Sequence, residues 1–289
     1  MAVTPLLTVH GGWTSSFELF GVIGLVWSAV ALIFLYMAKG NDVLQAAKTQ
    51  GGSRRAQLSE KFIEEEQPKR KSPLRDLALR VQALPRRSLL QIAALVWTHS
   101  VIGFGYFVLL SWVPTFLSTQ IPSLEPGVLG LFSALPFLST AVLACFVGSF
   151  ADRLSARGWK TPAVRRVMMI AATLGPALGL LMLAMTPIGS PHAPLYALVA
   201  LMIAMGTQAF NYAGFHAYVQ DVAGPSGKAG LLLSVTNTGG VVFGCLGNLL
   251  TGALVESTGS FASVFFIAGV FYVISCVSWI KLMTGEQLF

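Results

Sequence analysis

Seven apolar stretches of helix length divide the chain: 17–37, 89–113, 127–150, 163–185, 195–217, 229–254 and 260–282. Each is close to the roughly 20 mostly apolar residues that cross a bilayer as an α-helix, the form in which a lipid-embedded backbone satisfies its own polar groups. None holds Asp, Glu, Lys or Arg except near its ends. Threading the stretches back and forth puts the connectors alternately on two sides. One side collects 38–88 with twelve Lys/Arg, 151–166 with five, Lys228 and Lys281. The other collects none and carries only Glu18, Glu125 and Glu256. Lys and Arg in short connectors mark the cytosolic side. The pattern predicts an all-α, multi-pass membrane protein of seven transmembrane helices in a lipid bilayer. Its N-terminus lies outside or in a lumen and its C-terminus on the cytosolic side.

Between the stretches the chain changes character. Residues 2–9 are apolar but span only about 12 Å as a helix, against a hydrocarbon core of roughly 30 Å. They read either as the tail of an earlier helix or as an ordinary N-terminus. The connector 38–88 mixes Lys and Arg with Glu64–Glu65–Glu66 and contains Gly51, Gly52 and Pro68. At its end Leu74, Leu77, Val81 and Leu84 fall at helical spacing, which predicts an amphipathic helix over 74–84 on the membrane surface. Six spans with short connectors complete the chain.

Composition agrees. The chain is 54% hydrophobic and 11% charged, with a mean hydropathy of +0.70, where soluble domains carry about 25% charged residues. The net charge of +7 is therefore a topology signal, and no nucleic-acid partner is expected. Cys145, Cys245 and Cys276 sit in separate spans without metal-ligand spacing, so they read as packing residues. Residues 1–16 lack the basic and short apolar regions of a signal peptide. No cluster suited to catalysis or to holding a metal is visible in the spans, so no enzyme and no cofactor is expected.

Polar residues at membrane depth are the candidate chemistry, because they face a bundle interior or a water-filled path. The second span holds Thr98, His99 and Ser100. The fifth holds Gln208, Asn211, Tyr212 and His216, with Tyr212 and His216 four apart on one face. The sixth holds Thr236, Asn237, Thr238 and Asn248. The substrate-path candidates are His99, Asn211, Tyr212, His216, Asn237 and Thr238. Each has a plainer reading as a hydrogen bond between helices. The glycines of the sixth span, with Gly240 and Gly244 as a GxxxG pair, suit either static close packing or helices that rock on one another. Between the third and fourth spans, Asp152, Arg153 and Arg157 in Gly148-Ser-Phe-Ala-Asp152-Arg153-Leu-Ser-Ala-Arg157-Gly158 suit a charge latch. A carboxylate at a helix end pairs with Arg and with a neighbouring helix N-terminus.

That last stretch is similar to the Gly-x-x-x-Ala-Asp-Arg signature of the major facilitator superfamily. Further stretches narrow the resemblance. They are Ser111-Trp112-Val113-Pro114-Thr115-Phe116, Gly130-Leu-Phe-Ser-Ala-Leu-Pro136, Gln220-Asp221-Val222-Ala223, Ser234-x-x-Asn237-Thr238-x-Gly240 and Thr284-Gly285-Glu286. Together with Gly12-Trp13 and Phe20-Gly21-x-x-Gly24-x-x-Trp27 they resemble the anion:cation symporter branch. This branch contains plant and algal phosphate transporters and animal sialate and vesicular glutamate transporters. The resemblance implies that 1–37 is the remnant of an N-terminal half, 38–88 a central cytosolic-side loop, and 89–289 the C-terminal six-helix half. It implies a secondary transporter of phosphate or an organic anion, coupled to Na⁺ or H⁺ and working by alternating access. A plastid membrane would be its place, and an N-terminal half or partner protein would complete it. The branch holds its anion largely with arginines of the first half. A half-length membrane protein that binds or regulates a partner without transporting is the other reading.

Overall fold

The computed structural model describes residues 14–39, 85–122 and 124–288. Helix α1 spans Thr14–Lys39 and covers the predicted first span. It belongs to a unit of its own, separate from the unit that runs from Leu84 to the C-terminus. Its Ser28 hydroxyl donates to the Gly24 carbonyl at 2.8 Å, which satisfies a polar side chain inside an apolar helix. The connector upstream of residue 85, with the amphipathic helix expected at 74–84, lies outside the described residues.

The larger unit contains α2 (Arg86–Gln120), α3 (Pro126–Ala156), α4 (Thr161–Ala184), α5 (Ala193–Ala223), α6 (Ala229–Thr258) and α7 (Ala262–Leu282). All six are long and apolar enough to cross a membrane. They correspond to the second to seventh predicted spans, and the chain is a multi-pass integral membrane protein. Their connectors are short, so neighbours run antiparallel. Arg86, Arg87, Arg153, Arg157, Lys160, Arg165, Arg166, Lys228 and Lys281 thus gather at one end of the bundle, the basic end. Glu125 and Glu256 mark the charge-poor end.

Close helix approach is set by small residues. The most extensive interface joins α2 and α6. Gly103 lies so near Gly240 that a Cβ there would run into the Gly240 backbone. Without side chains between them, two backbones reach a separation that gains dispersion contacts in lipid. At the charge-poor end, Phe116 of α2 packs edge-on against Phe261 and Phe265 of α7, with centroids 5.6 and 5.1 Å apart. At the basic end, Tyr218 of α5 meets Trp279 of α7 at 5.0 Å. Burial is uneven. The most apolar part of α2 is 61% buried, whereas α3 and α6 are only 17% and 22% buried, so each turns an apolar face outward.

The last residues cross the basic end as a strap. The Gln91 amide donates to the Thr284 hydroxyl at 2.8 Å, and Arg166 donates to the Met283 carbonyl at 3.3 Å. Gly285 N–H donates to the Tyr218 hydroxyl at 3.2 Å, and Leu288 N–H donates to the Val222 carbonyl at 3.0 Å. Gly285 has φ +81° and lies against Pro162, a position that suits glycine alone. The strap therefore ties α2, α4 and α5 together.

Candidate functional site

A cavity of about 560 Å³ lies halfway along the bundle, between α2, α3, α5 and α6. The volume is that of a small-molecule site. Helix α5 supplies most of its polar lining, namely Gln208, Asn211, Tyr212 and His216. Asn237 of α6, Tyr106 of α2 and Thr140 of α3 complete the polar lining, and Ile102, Phe137 and Met205 supply apolar wall.

These side chains converge because α5 is irregular. It is α-helical to Gly206, tightens to a 3₁₀ turn at Thr207–Ala209, and widens to a π turn at Tyr212–His216. Regular helix resumes at Ala217. Such turns disturb the i→i−4 ladder, and neighbouring helices supply donors to the carbonyls. The Thr140 hydroxyl of α3 donates to the Met205 carbonyl at 2.9 Å. The Arg165 Nη1 of α4 donates to the Ala213 carbonyl, inside the π turn, at 3.2 Å. Arg165 is itself fixed by Asp221 at the end of α5, with Nε 2.7 Å from Oδ2. This ion pair is only partly exposed, at 20% and 32% of the two side chains. It pins α4 to the part of α5 that carries the cavity residues.

Three lining side chains hold a buried polar atom without a hydrogen-bond partner among the described residues: Gln208 Nε2, Asn211 Oδ1 and His216 Nδ1. Buried polar atoms are nearly always paired, since an unpaired one costs about 1–3 kcal/mol. The same three side chains line the cavity, and two amides and an imidazole are residue types that suit a small polar solute. No Asp, Glu, Lys or Arg is among the lining residues.

The structure sorts the residues that the sequence singles out. Asn211, Tyr212, His216 and Asn237 line the cavity together, with the Tyr212 and His216 rings 5.9 Å apart. His99 stands beside this group. Its ring is 5.9 Å from that of His216 and 4.8 Å from Phe215, and its Nδ1 is 3.0 Å from Thr236 Oγ1. The Thr238 hydroxyl is exposed and donates to Ser234 of its own helix at 2.9 Å. Thr98 accepts from Ser275 of α7 at 3.1 Å, and Asn248 donates to Ser111 of α2 at 3.2 Å, so both join helices. Asp152, Arg153 and Arg157 are exposed at the end of α3. Sequence reasoning passed over Tyr106, Thr140 and the pairing of Arg165 with Asp221. Arg165 counted there only toward topology, and Asp221 only as part of a motif.

A multi-pass bundle with a cavity lined by polar side chains between its spans has the arrangement in which secondary transporters bind their solutes. The family model of the Major Facilitator Superfamily matches residues 1–163 and 123–287, and the chain belongs to that family, one of transporters and not of enzymes. Among its relatives is the probable anion transporter 4, chloroplastic, of Oryza sativa subsp. japonica, 32% identical over all of this chain and 45% of the relative. The chloroplastic ascorbate transporter of Arabidopsis thaliana is 31% identical, with 49% of its length covered. The chloroplastic sodium-dependent phosphate transport protein 1 of Arabidopsis thaliana is 30% identical, with 52% covered. The chain spans about half the length of the curated relatives it matches.

Proposed function

We propose that this chain is the cavity-bearing part of a secondary active anion transporter, for inorganic phosphate or an organic anion, coupled to Na⁺ or H⁺. The observation that carries the reading is the set of polar side chains, Gln208, Asn211, Tyr212, His216 and Asn237, gathered on one cavity between four of the spans. The names of the relatives supply the substrate class, and their chloroplastic location suggests a plastid membrane. In this reading 89–289 is the C-terminal six-helix half, 38–88 the central loop and 1–37 the end of the preceding half. The apolar outward faces of α3 and α6 flank the cavity and receive the matching half. The two halves rock about the central site. Asp152, Arg153 and Arg157 latch the basic end, which faces the cytosol or stroma.

The test is equilibrium counterflow. Protein captured from its native membranes with an antibody to residues 50–70 is reconstituted in liposomes, and exchange of labelled phosphate and labelled ascorbate is measured. Exchange of either supports transport and names the substrate class. Absence of exchange, with this chain intact and folded, favours the reading as a half-length membrane protein that binds or regulates a partner.

A further inference from the structure

We propose that His99 and His216 together form a site for one exchangeable proton at the wall of the cavity, and that this proton is the positive charge that this half of the protein presents to the anion. Two observations meet here. The first is the ring pair, 5.9 Å between centroids, one histidine on α2 and the other on α5. The second is its hydrogen bonding. His99 Nδ1 is hydrogen-bonded to Thr236 Oγ1 at 3.0 Å, and the same hydroxyl lies 3.1 Å from the Leu233 carbonyl. With the hydroxyl proton on that carbonyl, Nδ1 carries the proton of neutral His99 and Nε2 is its basic atom. His216 Nδ1 is buried without a partner among the described residues, while the same side chain lines the cavity. Each ring therefore has a nitrogen available to a proton.

One proton is the capacity of the pair. Two imidazolium ions at this separation repel strongly in a medium of low polarity. Among the described residues, none of those lining the cavity beside the pair is Asp, Glu, Lys or Arg. The titratable groups facing the pair are Tyr212 on α5 and Tyr106 on α2. Thr236 and Asn237 of α6, Thr140 of α3 and Phe215 of α5 are neutral. Among the described residues, the formal charges held against this stretch of α5 are Arg165, on the Ala213 carbonyl, and Asp221, and they pair with each other. Among the described residues no fixed cation lines the cavity, and the protonated pair is the group that can balance an anion there.

Coupling arises by linkage, and this part rests on the transport reading above. If the anion binds better to the protonated pair, the pair binds its proton better when the anion is present, by the same factor. Binding raises the titration midpoint. Affinity is therefore full below the midpoint of the empty pair. It falls about tenfold per pH unit between the empty and the occupied midpoints. Proton and anion then move together, one for one.

The proton site is tested without transport. The chain has four histidines, so the protein labelled with ¹⁵N-histidine in nanodiscs gives few signals, and H99N and H216N assign the two of interest. The expected result is a coupled titration, in which replacing either histidine moves the midpoint of the other by about one pH unit or more. Independent titrations, each unmoved by loss of the other, overturn the site. T236V serves as a milder variant that keeps both rings and is expected to move the His99 midpoint. In liposomes, KM for the transported anion should rise with pH in the unaltered protein, do so over a shifted pH range in H99N, and lose that dependence in H99N/H216N. A KM indifferent to pH in the unaltered protein overturns the coupling role. If the pair titrates as one unit but neither phosphate nor ascorbate is exchanged, the transport reading falls and the proton site stands.

Discussion

Asn211 and Gln208 line the cavity with amide side chains that each hold an atom no described residue satisfies. In the proposed site, replacing either with Ala deletes a hydrogen bond to the solute while leaving the helix intact. The expected effect is a rise of about tenfold in KM or Kd, the equivalent of a single good polar contact. Isothermal titration or uptake kinetics would read it, and unchanged binding would remove these amides from the site. Arg165 is a different kind of residue. Its guanidinium holds Asp221 at 2.7 Å and the Ala213 carbonyl at 3.2 Å, so Arg165→Ala strands a carboxylate and a π-turn carbonyl at once. The pair is partly screened by solvent, which places the loss of stability at roughly 1–2 kcal/mol. A lowered thermal midpoint in detergent should accompany weaker anion binding. Loss of stability with binding unaffected would mean that the pair does not position the cavity residues.

At the scale of the element, the glycines at the α2–α6 crossing differ from those elsewhere on α6. A methyl group on Gly103 meets the Gly240 backbone at the crossing, where no flexible side chain can yield. Gly103→Ala should cost roughly 2 kcal/mol or more through overpacking. Gly230, near the start of α6, has nothing within 4 Å of such a methyl, so Gly230→Ala should be neutral or slightly stabilising. Paired thermal melts decide this, and equal effects would contradict the crossing. The spans themselves were legible, because apolar runs bounded by charge leave few alternatives in lipid. Their ends were less so. The second span reads as 89–113, yet α2 runs to Gln120 through Pro114. The polar tail continues as helix because Ser118 and Thr119 return their hydroxyls to the Thr115 carbonyl at 3.1 and 2.7 Å. The candidate site was legible in residue type but not in arrangement. The polar residues of the second, fifth and sixth spans were evident. Nothing in their spacing separated Thr98 and Asn248, which pin helices, from Asn211 and Asn237, which face the cavity. The π turn had no sequence signal that periodicity could detect.

Across the whole molecule, the basic residues share one end of the bundle with the C-terminal strap. The orientation proposed from the positive-inside rule turns that end toward the cytosol or stroma. Single cysteines introduced at Lys160 and at Glu125, in a background lacking the three native cysteines, should react with a membrane-impermeant maleimide from opposite sides of sealed vesicles. Labelling from the same side would break the antiparallel threading. The strap makes a further prediction. Ending the chain at Leu282 removes its bonds to Gln91, Arg166, Tyr218 and Val222, together with the buried side chains of Met283 and Leu288. A drop of about 2–3 kcal/mol in stability is expected from the loss of two buried side chains and the polar contacts. Unfolding in denaturant of the two forms, side by side, gives the difference.

The π turn at Tyr212–His216 has a consequence of phase. Each residue added to a helix turns the remainder of that helix by about 100°. Were Tyr212–His216 regular α-helix with no residue removed, the extra residue would therefore swing the stretch beyond it about 100° out of step with the stretch before it. With Asn211 kept on the cavity, Asp221 would miss Arg165 and Tyr218 would miss the strap. With those contacts kept, Asn211 would turn toward its neighbours' backbones. The extra residue works like a spacer in a keyed shaft: it lets one helix meet two angular settings that no uniform helix can meet together.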